Sequence, residues 1–378
     1  MSDHQAQPPS GAESQEQPDD TGSDSDESPT RRRGFVRRHK ALTGLLALFV
    51  ILGVLFGGSI YYVNGKLGQI DRVEITLPET GRPDETNNES INILLAGVDN
   101  GEGSSIAEAV NEPDWTVGQH RSDTIIILHI SADRRSAYLV SIPRDSYVPI
   151  YNAQGQRAGV HKVNAAFSYY GPSGYVSTIE HLTGLRMDHL AMIDWTGFED
   201  LTDALGGVRL FVPATVYNRA NRVTWTRGSQ DMDGEEALRY VRTRYGLAGG
   251  DFDRIERQQN FLRAIMKDLA SKAVLANPLK LNKTLNAVTQ NLTIDNDWSN
   301  RQLQSLAFSM RRIKPEDVTF LTAPLAPNWN QYIDGEGAVV YLDKGQSSQL
   351  WQALADDTVT EYATAHRSDQ LPGSKLVN

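Results

Sequence analysis

Arginine and aspartate side chains at the ends of apolar segments are the residues of this sequence best suited to chemistry. Five of them flank the first three apolar runs of the region expected to fold: Asp99, Arg121, Asp123, Arg144 and Asp145. In an α/β sheet, sites collect at strand ends, where loops carry polar groups on a rigid scaffold. An antiparallel second strand would bring all five to one edge. Converging carboxylates repel each other, and Mg²⁺ would resolve that by binding carboxylates, waters and phosphate oxygens. The alternative for each aspartate taken singly is a turn or a cap.

A second cluster of arginines surrounds the start of a long helical pattern. Arg242 and Arg244 are two residues apart, so they lie on one side only if the chain is extended there, as at a helix end. Arg254, Arg257 and Gln258 share one helix face at the spacing i, i+3, i+4. Four arginines within sixteen residues favour a phosphate ligand, because arginine binds phosphate oxygens in pairs and keeps its charge when desolvated.

The position of Arg254 in its helix supports this interpretation. The helix is predicted to begin there, with Asp253 as its N-cap. Arginines in a first turn oppose the helix macrodipole, at ~0.3–1 kcal/mol each. A bound anion would remove that conflict, because helix amides and guanidinium groups would hold it together. The alternative is a set of surface ion pairs with the acidic neighbours Asp251, Asp253 and Glu256.

The elements that must position these residues alternate between strands and helices, which predicts an α/β layered fold. Apolar runs predict strands at 91–98, 124–130, 137–142, 189–193, 208–212 and 318–321, and an edge ribbon at 223–227. Helical patterns cover 175–182, 195–204, 234–242 and 254–275, and two more follow Pro278. The predicted domain spans 91–365 with its core at 91–275, between a linker at 64–90 and a flexible tail at 366–378.

Composition excludes several classes of function. The chain has 378 residues and no cysteine, which excludes disulfides, thiolate metal sites and a cysteine nucleophile. A net charge of -10 argues against nucleic acid as a partner, since phosphate backbones are bound by basic surfaces. The motifs of nucleophilic serine hydrolases, zinc proteases, P-loop enzymes and dinucleotide-binding proteins do not occur in the sequence.

The N-terminal region predicts a membrane anchor. Residues 1–40 read as a disordered cytoplasmic tail that ends in a basic cluster. Residues 41–63 carry no charge, and as a helix they would extend about 34 Å, enough to cross a bilayer core of about 30 Å. Because the basic cluster precedes this span, we expect a single-pass protein of the cell membrane whose catalytic domain lies outside the cytoplasm. A cleaved signal peptide is the alternative, but its apolar stretch is normally shorter.

Eight sequence blocks resemble the LytR–CpsA–Psr family of bacterial cell-wall ligases, over about half the chain. They are 92–99 (NILLAGVD), 121–124 (RSDT), 141–145 (SIPRD), 162–166 (KVNAA), 203–208 (DALGGV), 233–238 (DGEEAL), 240–244 (YVRTR) and 250–259 (GDFDRIERQQ). The resemblance implies an αβα three-layer sandwich with an apolar groove for a polyprenyl tail. It also implies a phosphotransferase that moves a glycopolymer from a polyprenyl-pyrophosphate carrier onto peptidoglycan or a related wall acceptor.

The same resemblance implies roles for individual residues. Asp99 and Asp123 would bind Mg²⁺ or Mn²⁺. Seven residues would bind the pyrophosphate: Arg121, Arg144, Arg242, Arg244, Arg254, Arg257 and Gln258. Arg144, Asp145 and Asp251 would be the catalytic residues, the two aspartates by supporting the arginines and Asp251 also as a candidate base. The chain departs from the family at Asn100, where serine or threonine followed by arginine is common, and in its longer loop to Arg121.

Two other functions use the same residues. A hydrolase would cleave the prenyl pyrophosphate with water as acceptor, and its products would distinguish it. A non-catalytic lipid-binding or regulatory protein would not need a metal ion, so dependence on Mg²⁺ separates it from both enzymes.

Overall fold

The structure is a computed structural model that describes residues 61–86, 88–99, 106–111, 115–220 and 222–377. The predicted cytoplasmic tail, and the predicted span 41–63 apart from its last three residues, lie outside the described residues and stay predictions. Within the described ranges, no helix has both the length and the apolar character needed to cross a membrane.

Strands and helices of the described chain have the following bounds. The strands are β1 (Asp71–Val73), β2 (Ile91–Asp99), β3 (Arg121–Ile130), β4 (Ala137–Ser141), β5 (Tyr147–Tyr151), β6 (Arg157–Lys162), β7 (His189–Asp194), β8 (Val208–Val212), β9 (Val216–Asn218), β10 (Val223–Trp225), β11 (Gly228–Met232), β12 (Leu292–Asp295), β13 (Val318–Thr322), β14 (Leu325–Ile333) and β15 (Gly337–Leu342). The helices are α1 (Ile106–Asn111), α2 (Asn164–Thr183), α3 (Trp195–Ala204), α4 (Gly234–Val241), α5 (Asp251–Leu269), α6 (Lys272–Leu275), α7 (Pro278–Asn291), α8 (Asn300–Met310), α9 (Lys344–Ala355) and α10 (Val359–Ala365).

Seven strands form one mixed sheet in the order β1-β12-β7-β2-β3-β4-β13. β3 runs antiparallel to β2 and β4, whereas β7 is parallel to β2 and β13 is parallel to β4. The last residues of β2, β4, β7 and β13 and the first residues of β3 therefore lie at the same end of the sheet, which we call the polar end. The antiparallel arrangement needed to gather the predicted site residues is present.

Helices pack on both faces of this sheet, so the fold is an α/β sandwich of three layers. Successive side chains of β2 enter opposite cores, as the pleat of a strand requires. Leu94 packs on the first face, in a core that includes residues of α2 and α9. Leu95 packs on the second face, beside Leu262 and Met266 of α5. The second face also carries α8, which packs through Leu306 near Ile93.

The folded unit extends beyond the predicted domain limits at both ends. The predicted linker 64–90 contains β1, which pairs in parallel with β12 at the edge of the sheet. The predicted flexible tail is packed against the sheet, because the Leu371 amide donates to the Phe320 carbonyl at 3.0 Å. Val377 is buried. A strand of three residues is too short to show a hydrophobic pattern in the sequence. The tail is polar and is held by hydrogen bonds to the sheet, so it shows no such pattern either.

Two helices differ from their predicted bounds. Helix α2 begins at Asn164, before the predicted start at 175. It consists of two helical segments joined by a kink at Gly171, where φ is 63°, and the prediction included only part of the second segment. The predicted helix 254–275 is two helices, α5 and the short α6, and α5 begins at Asp251. Its N-cap is Gly250, so the prediction of Asp253 as N-cap is wrong. The Asp253 carboxylate instead accepts a hydrogen bond from the Gly249 amide at 2.8 Å.

Candidate active site

Strand β3 enters the polar end of the sheet with one extra residue. Its ladder with β2 pairs Gly97 with Thr124 and resumes at Ser122, so Asp123 lies in a β-bulge. A bulge interrupts the alternation of side chains and re-aims them. Ser122 is therefore buried toward the first face, where its hydroxyl lies 3.1 Å from that of Tyr175. Thr124 covers Gly97 so closely that a Cβ at position 97 would lie 2.9 Å from the Thr124 Cβ.

Three of the predicted residues meet just beyond this bulge. Arg144 Nη1 donates to Asp123 Oδ1 at 2.5 Å. The Arg144 Nε lies 3.6 Å from Asp145 Oδ2, and Lys162 Nζ lies 3.2 Å from Asp145 Oδ1. Lys162 ends β6, and the other side chains come from β3 and from the loop after β4. Sequence reasoning assigned no role to Lys162, whose hairpin β5–β6 it did not predict.

The start of α5 supplies a further carboxylate, Asp251, and a buried arginine, Arg254. Arg254 Nη2 lies 2.9 Å from Asp251 Oδ1, and Arg244 Nη1 lies 3.9 Å from the same oxygen. Because the helix begins at Asp251, its first turn carries two aspartates and Arg254 comes after it. The predicted conflict between arginines and the helix dipole is therefore absent, and burial of the arginines must carry the argument for an anion.

The end of α4 positions Arg242, and the start of β3 positions Arg121. Arg242 follows the last residue of α4, lies 3.7 Å from Asp99 Oδ2 and covers the Trp195 ring at 4.7 Å. Arg121 is exposed and pairs with Asp99 through the β2–β3 ladder. Trp195 was predicted only as the first residue of a helix, and the local sequence carries no signal of its contact with Arg242.

Arg257 is the most deeply buried member of the cluster. It has no exposed surface, and its guanidinium lies 4.2 Å from the Tyr240 ring centre. It also donates to the Tyr240 carbonyl at 3.4 Å. Burial lowers the pKa of Arg257, although Tyr240 and Asp253 act in the opposite direction. Such a buried cation is costly unless it is matched by negative charge.

The charge of Arg254 is also disfavoured by burial. This residue is 4% exposed. Burial, together with the positive charges of Arg144 and Arg244, lowers the pKa of Arg254 to about 10, against the effect of Asp251. For Arg144 burial is again the largest influence and acts to lower the pKa, but Asp123, Asp145 and Asp251 outweigh it and raise the pKa. The cluster therefore favours an added negative charge most strongly at Arg254.

Unused hydrogen-bond donors point to the same conclusion. Within the described residues, the buried Nε atoms of Arg144 and Arg254 have no hydrogen-bond partner. Among the described residues, the cluster contains seven cationic side chains and five carboxylates. The cations are Arg121, Arg144, Lys162, Arg242, Arg244, Arg254 and Arg257, and the carboxylates are Asp99, Asp123, Asp145, Asp251 and Asp253. An oxyanion with several oxygens would use the free donors and reduce the excess positive charge.

An apolar cavity adjoins the cluster on the second face of the sheet. It has a volume of about 230 Å³ and lies between β2, β3, β7, α3 and α5. Its walls are almost entirely apolar and include Leu95, Ile126, Phe198 and Phe261. Gln258, which was predicted to bind pyrophosphate, lines this cavity. The predicted apolar groove thus has a counterpart next to the charged residues.

The two aspartates predicted to bind a metal ion are each paired with an arginine. Asp99 is 39% exposed and faces Arg242, and Asp123 is 16% exposed and faces Arg144. Among the described residues, no group of three or more histidine or acidic side chains could hold a metal ion. Mg²⁺ normally binds through one or two carboxylates together with waters and substrate phosphates. The oxygen donors present therefore fit Mg²⁺ only together with a phosphate ligand.

Comparison with protein families identifies the chain. Residues 63–356 match the LytR_cpsA_psr family. The chain belongs to this family. The match includes β1 and all of α9, so the LytR_cpsA_psr region extends beyond the core 91–275 that carried the sequence resemblance. It begins at the last residue of the predicted span 41–63 and covers the whole predicted linker 64–90.

The chain is similar to several cell-wall proteins. The cell wall biosynthesis protein LcpA of Corynebacterium glutamicum is 29% identical over 88% of this chain and 70% of its own length. The polyisoprenyl-teichoic acid–peptidoglycan teichoic acid transferase TagU of Enterococcus faecalis is 28% identical over 67% of this chain and 77% of its own length. The matched region covers 65% to 70% of the length of two Corynebacterium relatives.

A solved structure supports the fold. The crystal structure of TagV from Bacillus subtilis superposes with a TM-score of 0.57 and 22% identity, over 72% of this chain and 98% of TagV. The mixed α/β architecture of this chain is therefore that of LytR_cpsA_psr proteins.

Proposed function

We propose that this protein is a transferase that moves a glycopolymer from a polyprenyl-pyrophosphate carrier onto peptidoglycan or a related wall acceptor. One observation carries the proposal: a buried, donor-rich arginine cluster lies beside an apolar cavity at the polar end of the sheet. A lipid pyrophosphate joins these two chemistries in one molecule. The family supports the same assignment, since TagU is named as a teichoic acid transferase onto peptidoglycan.

The reaction is attack of an acceptor hydroxyl on the phosphorus that bears the glycan. A bond forms between the acceptor oxygen and this phosphorus, the bridging P–O bond of the pyrophosphate breaks, and prenyl monophosphate leaves. Arg144 and Arg254 offer their unused Nε donors to the phosphate oxygens, which stabilises charge where it develops. Asp251, 2.9 Å from Arg254, orients that arginine and is the candidate to accept the hydroxyl proton.

Asp99 and Asp123 are the proposed ligands of Mg²⁺. When bound, Mg²⁺ neutralises charge on the phosphate oxygens. The other arginines of the cluster, with Lys162 behind Asp145, then hold the pyrophosphate in place. We further propose that residues 41–63 anchor the protein in the cell membrane with the site outside the cytoplasm, because the substrate is itself a membrane lipid.

Arginine substitutions test this function. Arg144→Ala and Arg254→Ala should each lower transfer from a lipid-pyrophosphate glycan to peptidoglycan fragments by about 10²-fold, the usual effect of losing one donor to a transition-state oxyanion. Arg209→Ala is a matched control, because Arg209 is exposed and pairs with Asp231 on the two-stranded antiparallel sheet of β8 and β11. Full activity of both site variants would refute the mechanism.

Product analysis separates the alternatives. A transferase yields prenyl monophosphate and a glycan joined to the acceptor through phosphate, and it needs the acceptor to turn over. Release of glycan phosphate at the same rate without acceptor would identify a hydrolase. Binding of the lipid without turnover, and without a requirement for Mg²⁺, would identify a binding protein.

A further inference from the structure

A second large cavity lies on the side of the molecule opposite to the apolar cavity. It is an open groove of about 680 Å³ between the hairpin β5–β6, the end of α2 and the start of α9. Its walls include Val148 and Trp351, which belong to the core on the first face of the sheet. The apolar cavity is built on the second face, around Leu95 and Leu262.

The groove has the chemistry of a site for an acidic sugar. Tyr147 and Tyr341 contact each other edge to face, with ring centres 5.9 Å apart, and both line the groove beside Trp351. Arg157 and Lys344 supply positive charge, and the described residues that line the groove include no carboxylate. Aromatic rings pack against the C–H faces of pyranose rings, and the cations attract carboxylates.

A buried serine provides independent support for a ligand in the groove. Ser347, in the first turns of α9, lines the groove and is only 5% exposed. Within the described part of the chain, its hydroxyl has no hydrogen-bond partner. A buried hydroxyl without a partner is costly, and most such groups in folded proteins are satisfied. A sugar hydroxyl in the groove would satisfy it.

The groove is joined to the candidate active site through the hairpin β5–β6. Tyr147 is two residues beyond Asp145, and it pairs across the hairpin with Lys162, which binds Asp145 at 3.2 Å. In phosphoryl transfer the attacking and leaving oxygens lie roughly in line with the phosphorus. If the prenyl leaving group lies in the cavity on the second face, the acceptor must approach from the side of the groove.

We infer that this groove binds the acceptor, an acidic glycan strand whose attacking hydroxyl is presented to the pyrophosphate from the first face. The inference rests on the proposed function and extends it by naming the surface that selects the acceptor. Arg157 and Lys344 bind acceptor carboxylates, Tyr147 and Tyr341 support its sugar rings, and Ser347 donates to a hydroxyl.

Charge reversal in the groove tests the inference. Binding of a disaccharide-tetrapeptide peptidoglycan fragment to the full-length protein is measured by calorimetry. The double variant Arg157→Glu/Lys344→Glu should weaken it by at least about tenfold, and a neutral N-acetylglucosamine oligosaccharide should bind more weakly than the fragment. The control Lys283→Glu/Arg301→Glu makes the same charge change at exposed positions of α7 and α8 and should leave affinity unchanged.

Ser347→Ala distinguishes a binding role from a structural one. Loss of an unsatisfied buried hydroxyl should leave the melting temperature unchanged or raise it, while the affinity for the acidic fragment falls roughly fivefold. Unchanged affinity in both the double variant and Ser347→Ala would overturn the inference. So would tighter binding of the free donor glycopolymer than of the peptidoglycan fragment, since the groove would then serve the donor. Binding of the lipid pyrophosphate is measured in parallel, and its absence in the wild-type protein would refute the proposed function instead.

Discussion

Replacing Arg254 with methionine should stabilise the ligand-free protein and at the same time remove its affinity for pyrophosphate. Arg254 is 4% exposed, and burial lowers its pKa in the folded protein to about 10, well below its pKa in the unfolded chain. Because the folded-state pKa is the lower one, the unfolded chain binds this proton more tightly. The charge on Arg254 therefore destabilises the folded protein, and this destabilisation is complete at every pH below about 10.

The size of the effect follows from the difference between the two pKa values. At ~1.4 kcal/mol for each pKa unit, the charge on Arg254 lowers the free energy of unfolding by about 3 kcal/mol. Methionine keeps a long side chain and removes the charge. It also removes the hydrogen bond to Asp251, worth ~1 kcal/mol, although Arg244 remains 3.9 Å from that carboxylate. A net gain of about 2 kcal/mol is expected.

Urea unfolding with and without inorganic pyrophosphate and Mg²⁺ measures both parts of this prediction. Ligand at 100 times its dissociation constant should raise the free energy of unfolding of the wild-type protein by ~2.7 kcal/mol and leave Arg254→Met unchanged. Arg263→Met is the matched control on the same helix, where Arg263 donates to the Pro372 carbonyl at 2.9 Å outside the cluster. The control should keep the response to pyrophosphate. Destabilisation of Arg254→Met by more than ~1 kcal/mol, with that response retained, would refute the reasoning.

Three further predictions concern the cavity, the metal ion and pH. Leu262→Trp should fill part of the apolar cavity and weaken binding of a polyprenyl pyrophosphate about tenfold, since excluding two CH₂ groups costs ~0.8 kcal/mol each; equal loss of inorganic pyrophosphate binding would contradict this. Asp123→Asn should raise the Mg²⁺ concentration needed for half-maximal transfer, and an unchanged metal titration would exclude Asp123 as a ligand. Burial lowers the pKa of His129 below 6.5 despite its bond to Asp357, so the unfolded chain binds more protons below pH 6.5 and stability should fall as pH drops from 6.5. His129→Gln should flatten that part of the urea-unfolding profile, and an identical slope in the variant would show that another group is responsible.

Elements with a clear apolar pattern between turn residues were predictable. Helix α3 has the predicted bounds, and so has β8 between Gly207 and Pro213. The sequence left the direction of the second strand open and indicated only that an antiparallel strand would gather the polar residues at one end; β3 is antiparallel to β2.

Features that depend on burial or on partners distant in sequence were not predictable. The pattern placed Arg254 in the first turn of a helix, whereas α5 begins at Asp251 and the side chain is buried. The pKa of Arg254 is lowered mainly because surrounding elements bury its side chain, and the spacing of residues along the helix cannot predict this burial. The strand β1 has three residues, and its pairing with β12 joins segments more than 200 residues apart.

The extra residue at Asp123 makes the site sensitive to residue count as well as to residue type. Because Asp123 is the bulge residue, the Ser122 side chain lies on the first face of the sheet beside Tyr175, and Thr124 contacts Gly97 on the second face. Removing Asp123 would restore a regular ladder in which Ser122 still pairs with Val98, so the flanking side chains would keep their faces, but the carboxylate that binds Arg144 would be lost. Chimeras with relatives must therefore keep every residue between Arg121 and Thr124, because the bulge residue itself supplies this carboxylate.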